Sequence, residues 1–288
     1  MTQSEASAHR VAIVTGGSRG IGRSVARHLA GDGFSIVIGY ASNKGEAAAA
    51  VAEVEAKGAK AIAVAADVAD EHAVASLFDQ AEQAFGGVDV VVNAAGLMSL
   101  APLADFDLAV LDRMLRTNIR GTFVVDQQAA RRVRPGGVII NFSSSVLGRV
   151  LPAYTGYAAS KAAVEAMTFI LAHELRGRDV TVNAVAPGPT ATDMFLEGKD
   201  QALLDRLANA VPLERLGTPD DIAPAVALLA SPTATGSTAR QSVLTGASSD
   251  THKHMRRGRR QAHTRYTKGI RQVKPGLDEH RERQQAQD

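Results

Sequence analysis

The chain has 288 residues, is 45% apolar, carries a formal net charge of +2 and contains no cysteine. Disulfides, thiolate metal sites and cysteine nucleophiles are thereby excluded, and the length suits one large α/β domain or two small ones. The charge is unevenly spread: residues 250–288 hold 11 Lys/Arg against 5 Asp/Glu, and the rest of the chain is net acidic. The eight histidines show no zinc-type spacing, so no metal site is expected. No apolar run reaches the length that spans a bilayer, and residues 1–9 lack an apolar signal core. A cytoplasmic protein without membrane contacts is the resulting expectation.

In chain order, Val11-Ala12-Ile13-Val14 reads as a buried strand, followed at once by Thr15-Gly16-Gly17-Ser18-Arg19-Gly20-Ile21-Gly22. A helical pattern then places Val25, Ala26 and Leu29 on one face. Strand, glycine turn and helix in that order aim helix N–H groups at a pyrophosphate, and the glycines let the backbone approach it. The second strand, Ser35 to Tyr40, ends without the acid that would hold a ribose 2′-hydroxyl; Ala41-Ser42-Asn43-Lys44 follows instead. With Arg19 in the glycine loop, neutral and cationic groups there suit a 2′-phosphate, so NADP(H) is preferred over NAD(H), which stays possible.

A helix over 46–57 leads to the strand Ala61-Ile62-Ala63-Val64 and to Asp67-Val68. A helix over 71–84 precedes Val88-Asp89-Val90-Val91-Val92 and Asn93-Ala94-Ala95-Gly96, whose small residues admit a flat ligand. Alternating strands and helices, the strands apolar throughout, predict a doubly wound parallel sheet of Rossmann type.

Further on, Val138 to Phe142 is a strand ending at Ser143-Ser144-Ser145, and Tyr157-Ala158-Ala159-Ser160-Lys161 lies thirteen residues beyond Ser144. Helical spacing stacks Tyr157 and Lys161 on one face, where an ammonium favours the phenolate and tunes a group whose free pKa is about 10. A Ser144 hydroxyl at the mouth of the sheet can hydrogen-bond a substrate oxygen. Ser143 and Ser145 are its rivals. A helix over 158–175 and the strand Val180 to Val185 come next. The loop Ala186-Pro187-Gly188-Pro189-Thr190-Ala191-Thr192 then lies at a strand's C-terminal end, where ligands bind in such sheets.

Taken together, Thr15-Gly16-x-x-x-Gly20-x-Gly22, Asp67-Val68, Asn93 to Gly96, Asn118, Ser144, Tyr157-x-x-x-Lys161 and Pro187-Gly188 resemble the short-chain dehydrogenase/reductase family, 3-oxoacyl-reductase-like members included. The resemblance runs from about Val11 to Ser231. It implies one domain over residues 10–247, a nicotinamide cofactor, and a homotetramer or homodimer. It also implies hydride transfer between the cofactor and a small carbonyl or alcohol substrate. Tyr157 would be the acid/base and Lys161 would lower its pKa and bind the nicotinamide ribose. Ser144 would polarise the substrate oxygen, and Asn118 would help hold a proton-relay water. Cofactor contacts would come from Gly16, Ser18, Arg19, Gly20, Ile21, Tyr40, Ser42, Asn43, Lys44, Asp67, Val68, Asn93, Ala94, Ala95, Gly96, Tyr157, Lys161, Pro187, Gly188, Thr190 and Thr192. Residues 194–216 would form a helical lid over the substrate.

The chain departs from the family after Pro232. The expected seventh strand is replaced by Gly236 to Ala247, and residues 248–288 read as a disordered basic tail. Codons allowed for residues 236–247, read two bases later, spell Ile-Asn-Gly-Thr-Ala-Ile-Arg-Ser-Asp-Gly-Gly, so a frameshift near residues 232–236 and the loss of an edge strand are expected. An enzyme impaired by that change, or an NADP-binding sensor without turnover, is the alternative to an active reductase. The tail is basic around Arg256 to Arg260, but Tyr266 is its lone aromatic residue, so nucleic-acid binding is not expected.

Overall fold

The computed structural model describes residues 10–231 and the backbone of residues 241–244. The expectations for residues 1–9, for the frameshift near 232–236 and for the tail at 248–288 lie outside the described residues.

Seven parallel strands form one sheet in the order β3-β2-β1-β4-β5-β6-β7. The strands are β1 (Val11–Thr15), β2 (Ser35–Tyr40), β3 (Ala61–Ala65), β4 (Val88–Asn93), β5 (Val133–Phe142), β6 (Val180–Pro187) and β7 (Gln241–Leu244). Their central members are Val- and Ile-rich and buried on both faces, as a parallel sheet between helical layers requires. One core layer joins Val14, Ile36, Ile38, Val92 and Ile140 to Leu29 and Ile222; the other joins Ile13, Val37, Val91, Ile139 and Val182 to Leu77 and Phe78.

The helices are α1 (Gly20–Gly31), α2 (Lys44–Glu55), α3 (Glu71–Phe85), α4 (Leu108–Leu115), α5 (Thr122–Arg132), α6 (Thr155–Glu174), α7 (Asp193–Leu196), α8 (Gln201–Asn209) and α9 (Pro219–Ala230). Their starts follow side-chain capping. Asn43 Oδ1 accepts from Glu46 N, so α2 begins two residues before the predicted 46, and Asp70 Oδ1 caps α3 through His72 N and Ala73 N. At α9, Thr218 and Asp221 close a reciprocal capping box.

Three expectations are corrected. The sheet keeps a seventh strand: Gln241 to Leu244 pairs in parallel with Ala184 to Pro187, because backbone pairing needs only an extended segment of the right register. The helical lid expected over 194–216 is helical only in α7 and α8, which Gly198 separates with a φ of 72°, and residues 210–215 are turns and bends. The helix carrying Tyr157 starts at Thr155, which puts the tyrosine in its first turn.

The sheet winds outward in both directions from the neighbouring pair β1 and β4. Crossovers on opposite faces diverge at that point and open a crevice above the strands' C-terminal ends. Thr15 Oγ1 donates to Asn93 Oδ1 at 2.9 Å, tying the two strand ends together beneath it.

Candidate active site

A cavity of about 600 Å³ lies over this crevice, lined from one end by Gly16, Ser18, Arg19 and Gly20 and from the other by Ser144, Tyr157, Lys161 and Met194. It brings together most of the predicted site residues: Ile21, Tyr40, Ser42, Asn43, Asp67, Val68, Ala94, Ala95, Gly96, Pro187, Gly188, Thr190 and Thr192 also line it. Three expected residues do not. Lys44 is an exposed residue in the first turn of α2, off the cavity wall. Asn93 lies under the floor, bonded to Thr15. Asn118 also stands behind the wall, a layer away from the cavity.

The glycine turn is built by close contacts. A Cβ on Gly22 would stand 2.4 Å from Gly16 O, and Gly16 itself has φ of 63°, so neither position takes a larger residue without moving the loop. The first turn of α1 has no side-chain cap and no acid, whereas α2, α3, α4, α8 and α9 are all capped by their own residues. At Gly20 an added Cβ would meet nothing but the Thr192 side chain. The space above the uncapped N–H groups therefore fits a pyrophosphate, and Arg19 adds positive charge at its edge.

At the other end, α6 places Tyr157 and Lys161 one turn apart, 8% and 6% exposed. Lys161 Nζ donates to Phe142 O at 2.7 Å and lies 5.8 Å from the centroid of the Tyr157 ring. Burial pulls the Lys161 ammonium down to about 8. Burial also pushes the Tyr157 phenol up to about 12, with its hydrogen bond to Ser144 acting in the opposite direction. Desolvation is thus the dominant influence on the phenol, which stands above its free value rather than below it.

The three serines separate cleanly. Ser143 is buried and commits its hydroxyl to Glu165 Oε1 at 2.6 Å. Ser144 caps the 3-10 turn Ser145–Gly148 by accepting from Val146 N, and it faces Tyr157. Ser145 begins that turn and makes no hydrogen bond through its side chain to Tyr157. Ser144 is the serine whose hydroxyl meets the phenol.

Asn118 sits inside a π-helical turn, Arg116–Gly121, between α4 and α5. That turn aims its amide at the loop after β4: Oδ1 accepts from Leu97 N and Nδ2 donates to Leu97 O, both at 2.8 Å, and Nδ2 also reaches Ser160 Oγ. A Cβ on Gly96 would come within 3.4 Å of Asn118 Oδ1 and 3.7 Å of Lys161 Nζ, so the glycine keeps these two groups adjacent. In the loop after β6, Thr190 Oγ1 donates to Gly188 O and keeps its lone pairs, while Thr192 Oγ1 accepts from Phe195 N and keeps its proton.

A family model described as enoyl-(acyl carrier protein) reductase matches residues 16–246. A short-chain type dehydrogenase/reductase of Picea abies is 48% identical over 236 residues, covering 77% of this chain and 86% of the relative. This chain belongs to the short-chain dehydrogenase/reductase family. Among other members, a chloroplastic NADPH-dependent aldehyde reductase-like protein of Arabidopsis thaliana is 43% identical, over 77% of this chain and 88% of its own. A short-chain dehydrogenase of Burkholderia cenocepacia in complex with NADP superposes with a TM-score of 0.78 at 39% identity, covering 83% of this chain and 97% of that one. The family's doubly wound sheet is therefore the fold of this chain.

Residues of the cavity that the sequence reading left unassigned are Arg116, Met98, Arg149, Leu151 and Tyr154. Arg116 pairs with Asp67 across the crevice at 2.6 Å. Its position two residues before Asn118 was visible, but the π-helical turn that swings it towards Asp67 leaves no trace in hydrophobic periodicity.

Proposed function

We propose that this member of the family is an NADP(H)-dependent oxidoreductase that interconverts a ketone and a secondary alcohol, with Tyr157 as acid/base. The observation that carries the reading is the buried Tyr157–Lys161 pair facing Ser144 at the end of a cavity whose other end fits a pyrophosphate. A bound nicotinamide would supply or accept the hydride exchanged with the carbonyl or carbinol carbon. Tyr157 gives its phenolic proton to the substrate oxygen in reduction and takes it back in oxidation. The Ser144 hydroxyl donates to the same oxygen and stabilises charge developing there. Lys161 holds the ribose hydroxyls and presents positive charge beneath the phenol; Asn118 and Gly96 keep a polar path to its ammonium.

Three further features support NADP(H) over NAD(H). β2 ends at Tyr40 without an acid, Arg19, Ser42 and Asn43 line the adjoining wall, and both the Arabidopsis relative and the Burkholderia structure carry NADP(H) in their descriptions. Assembly as a homodimer or homotetramer belongs to the same reading.

The test is a titration with NADPH and NADH followed by cofactor fluorescence, then turnover on ketones and 3-oxoacyl thioesters. Tighter binding of NADPH, with turnover lost in Tyr157→Phe while binding persists, is the expected result. Binding with no turnover on any carbonyl compound would leave a nucleotide-binding protein without the activity.

A further inference from the structure

Four cations line the cavity. Lys161 is committed to Phe142 O, Arg116 to Asp67, and Arg19 belongs to the glycine loop. Arg149 stands apart from all of them. It closes the short turn that Ser144 opens, its backbone N donating to Val146 O at 3.0 Å, and its partly buried side chain forms no ion pair or hydrogen bond with any described residue. A 3-10 turn rises about 2 Å per residue, so the backbone of Arg149 lies roughly 10 Å from that of Ser144. The same cavity is lined by the apolar Leu97, Met98, Leu151, Phe195 and Leu207 and by the exposed Asp193.

A guanidinium among apolar side chains, with no protein acid against it, is suited to an anionic group that arrives with a ligand. We propose that the substrate is a carbonyl compound with an apolar body and a remote anionic group, carboxylate or phosphate, and that Arg149 holds that group. The proposal rests on the oxidoreductase reading above and names its substrate class. The apolar wall takes the body, Ser144 and Tyr157 take the carbonyl oxygen, and Arg149 sets the distance between oxygen and anion. An oxo acid with its carboxylate several bonds from its carbonyl is the member of this class to test first.

The test compares three substrates of one length with NADPH: 6-oxoheptanoate, its methyl ester, and the phosphonate analogue. The expected acid-to-ester ratio in kcat/KM is more than about tenfold, since a hydrogen-bonded charge contributes about ten- to hundredfold. In Arg149→Gln that ratio falls to about one through KM rather than kcat, and Arg149→Lys restores part of it. A phosphonate ranking above the carboxylate names a phosphate as the anion; the reverse order names a carboxylate. Equal use of acid and ester by the unaltered protein overturns the proposal. Calorimetric titration with heptanoate in the presence of NADP separates the two readings. If no ketone turns over, yet heptanoate binds the unaltered protein and not Arg149→Gln, the anion site stands and the oxidoreductase reading falls. Equal heptanoate binding by both proteins overturns the anion site.

Discussion

The Lys161 ammonium is fastened to the backbone carbonyl of Phe142, the last residue of β5, at 2.7 Å. That bond fixes the height of the ammonium against the sheet, and through the four-residue stagger of α6 it fixes Tyr157 as well. Because burial holds Lys161 at about 8, the charge is present below that pH and is lost above it. Carbonyl reduction should therefore hold its kcat/KM up to about pH 8 and decline beyond. The phenol, at about 12, stays protonated across this range and is not the titrating group. A pH–rate profile checks this; a rate flat to pH 10 would remove Lys161 from the reaction.

Arg19 is expected to act on the cofactor's 2′-phosphate, which NADH lacks, and not on the pyrophosphate the two cofactors share. It is exposed and caps no hydrogen bond of α1 with its side chain, so Arg19→Ala should leave the thermal midpoint in place. The dissociation constant for NADPH should rise about tenfold, as loss of one charge-assisted contact does, while that for NADH stays close to its original value. Parallel loss of both would mean that Arg19 supports the loop rather than the phosphate.

Asn118, 1% exposed, satisfies both backbone groups of Leu97. Asn118→Ala leaves the partly buried N–H and C=O of Leu97 without that partner and should cost about 1–3 kcal/mol in denaturant unfolding. The loop after β4, which forms one wall of the cavity, should loosen with it, so NADPH affinity falls too. A loss below about 0.5 kcal/mol would show that the π-helical turn holds the loop without its amide.

Asp126 on α5 predicts the pH dependence of stability. It is buried between Asn141 and the second core layer, accepts from Asn141 Nδ2 at 2.9 Å, and burial pushes it up to about 7. Its folded pKa lies above its unfolded value near 3.8, so the folded state binds the extra proton. Stability is then greatest below about pH 4 as far as this group is concerned, falls as pH climbs to about 7, and stays lower above it. The difference amounts to about 4 kcal/mol at most. Asp126→Asn should flatten that slope and raise the unfolding midpoint at pH 8; an unchanged slope would assign the dependence elsewhere.

Much of the site could be read before any fold was drawn. Tyr157, Lys161, Ser144 and the glycine turn are local patterns, in which spacing along one helix or one strand-to-helix turn determines proximity. Asn118, by contrast, owes its place to a π-helical turn, and Arg116 and Arg149 owe theirs to how distant segments close the cavity. The burial that holds the phenol above its free value leaves no mark in a sequence, whereas a neighbouring charge does. The seventh strand was judged lost because its side chains depart from the family's pattern, while parallel pairing is made by backbone groups.

That short strand divides its neighbour. β7 pairs with Ala184 to Pro187, the half of β6 that leads into the Pro187–Thr192 loop, and among the described residues nothing pairs with the outer edge of Val180 to Asn183. Amide hydrogen exchange should report two classes of proton along β6, with the protection of its upper half depending on residues 241–244. A chain cut before Gln241 would then still fold around its glycine turn, yet it would unlatch the loop at the opposite wall. Four residues of backbone pairing at 241–244 would thereby bear on the loop that closes one wall of the cavity.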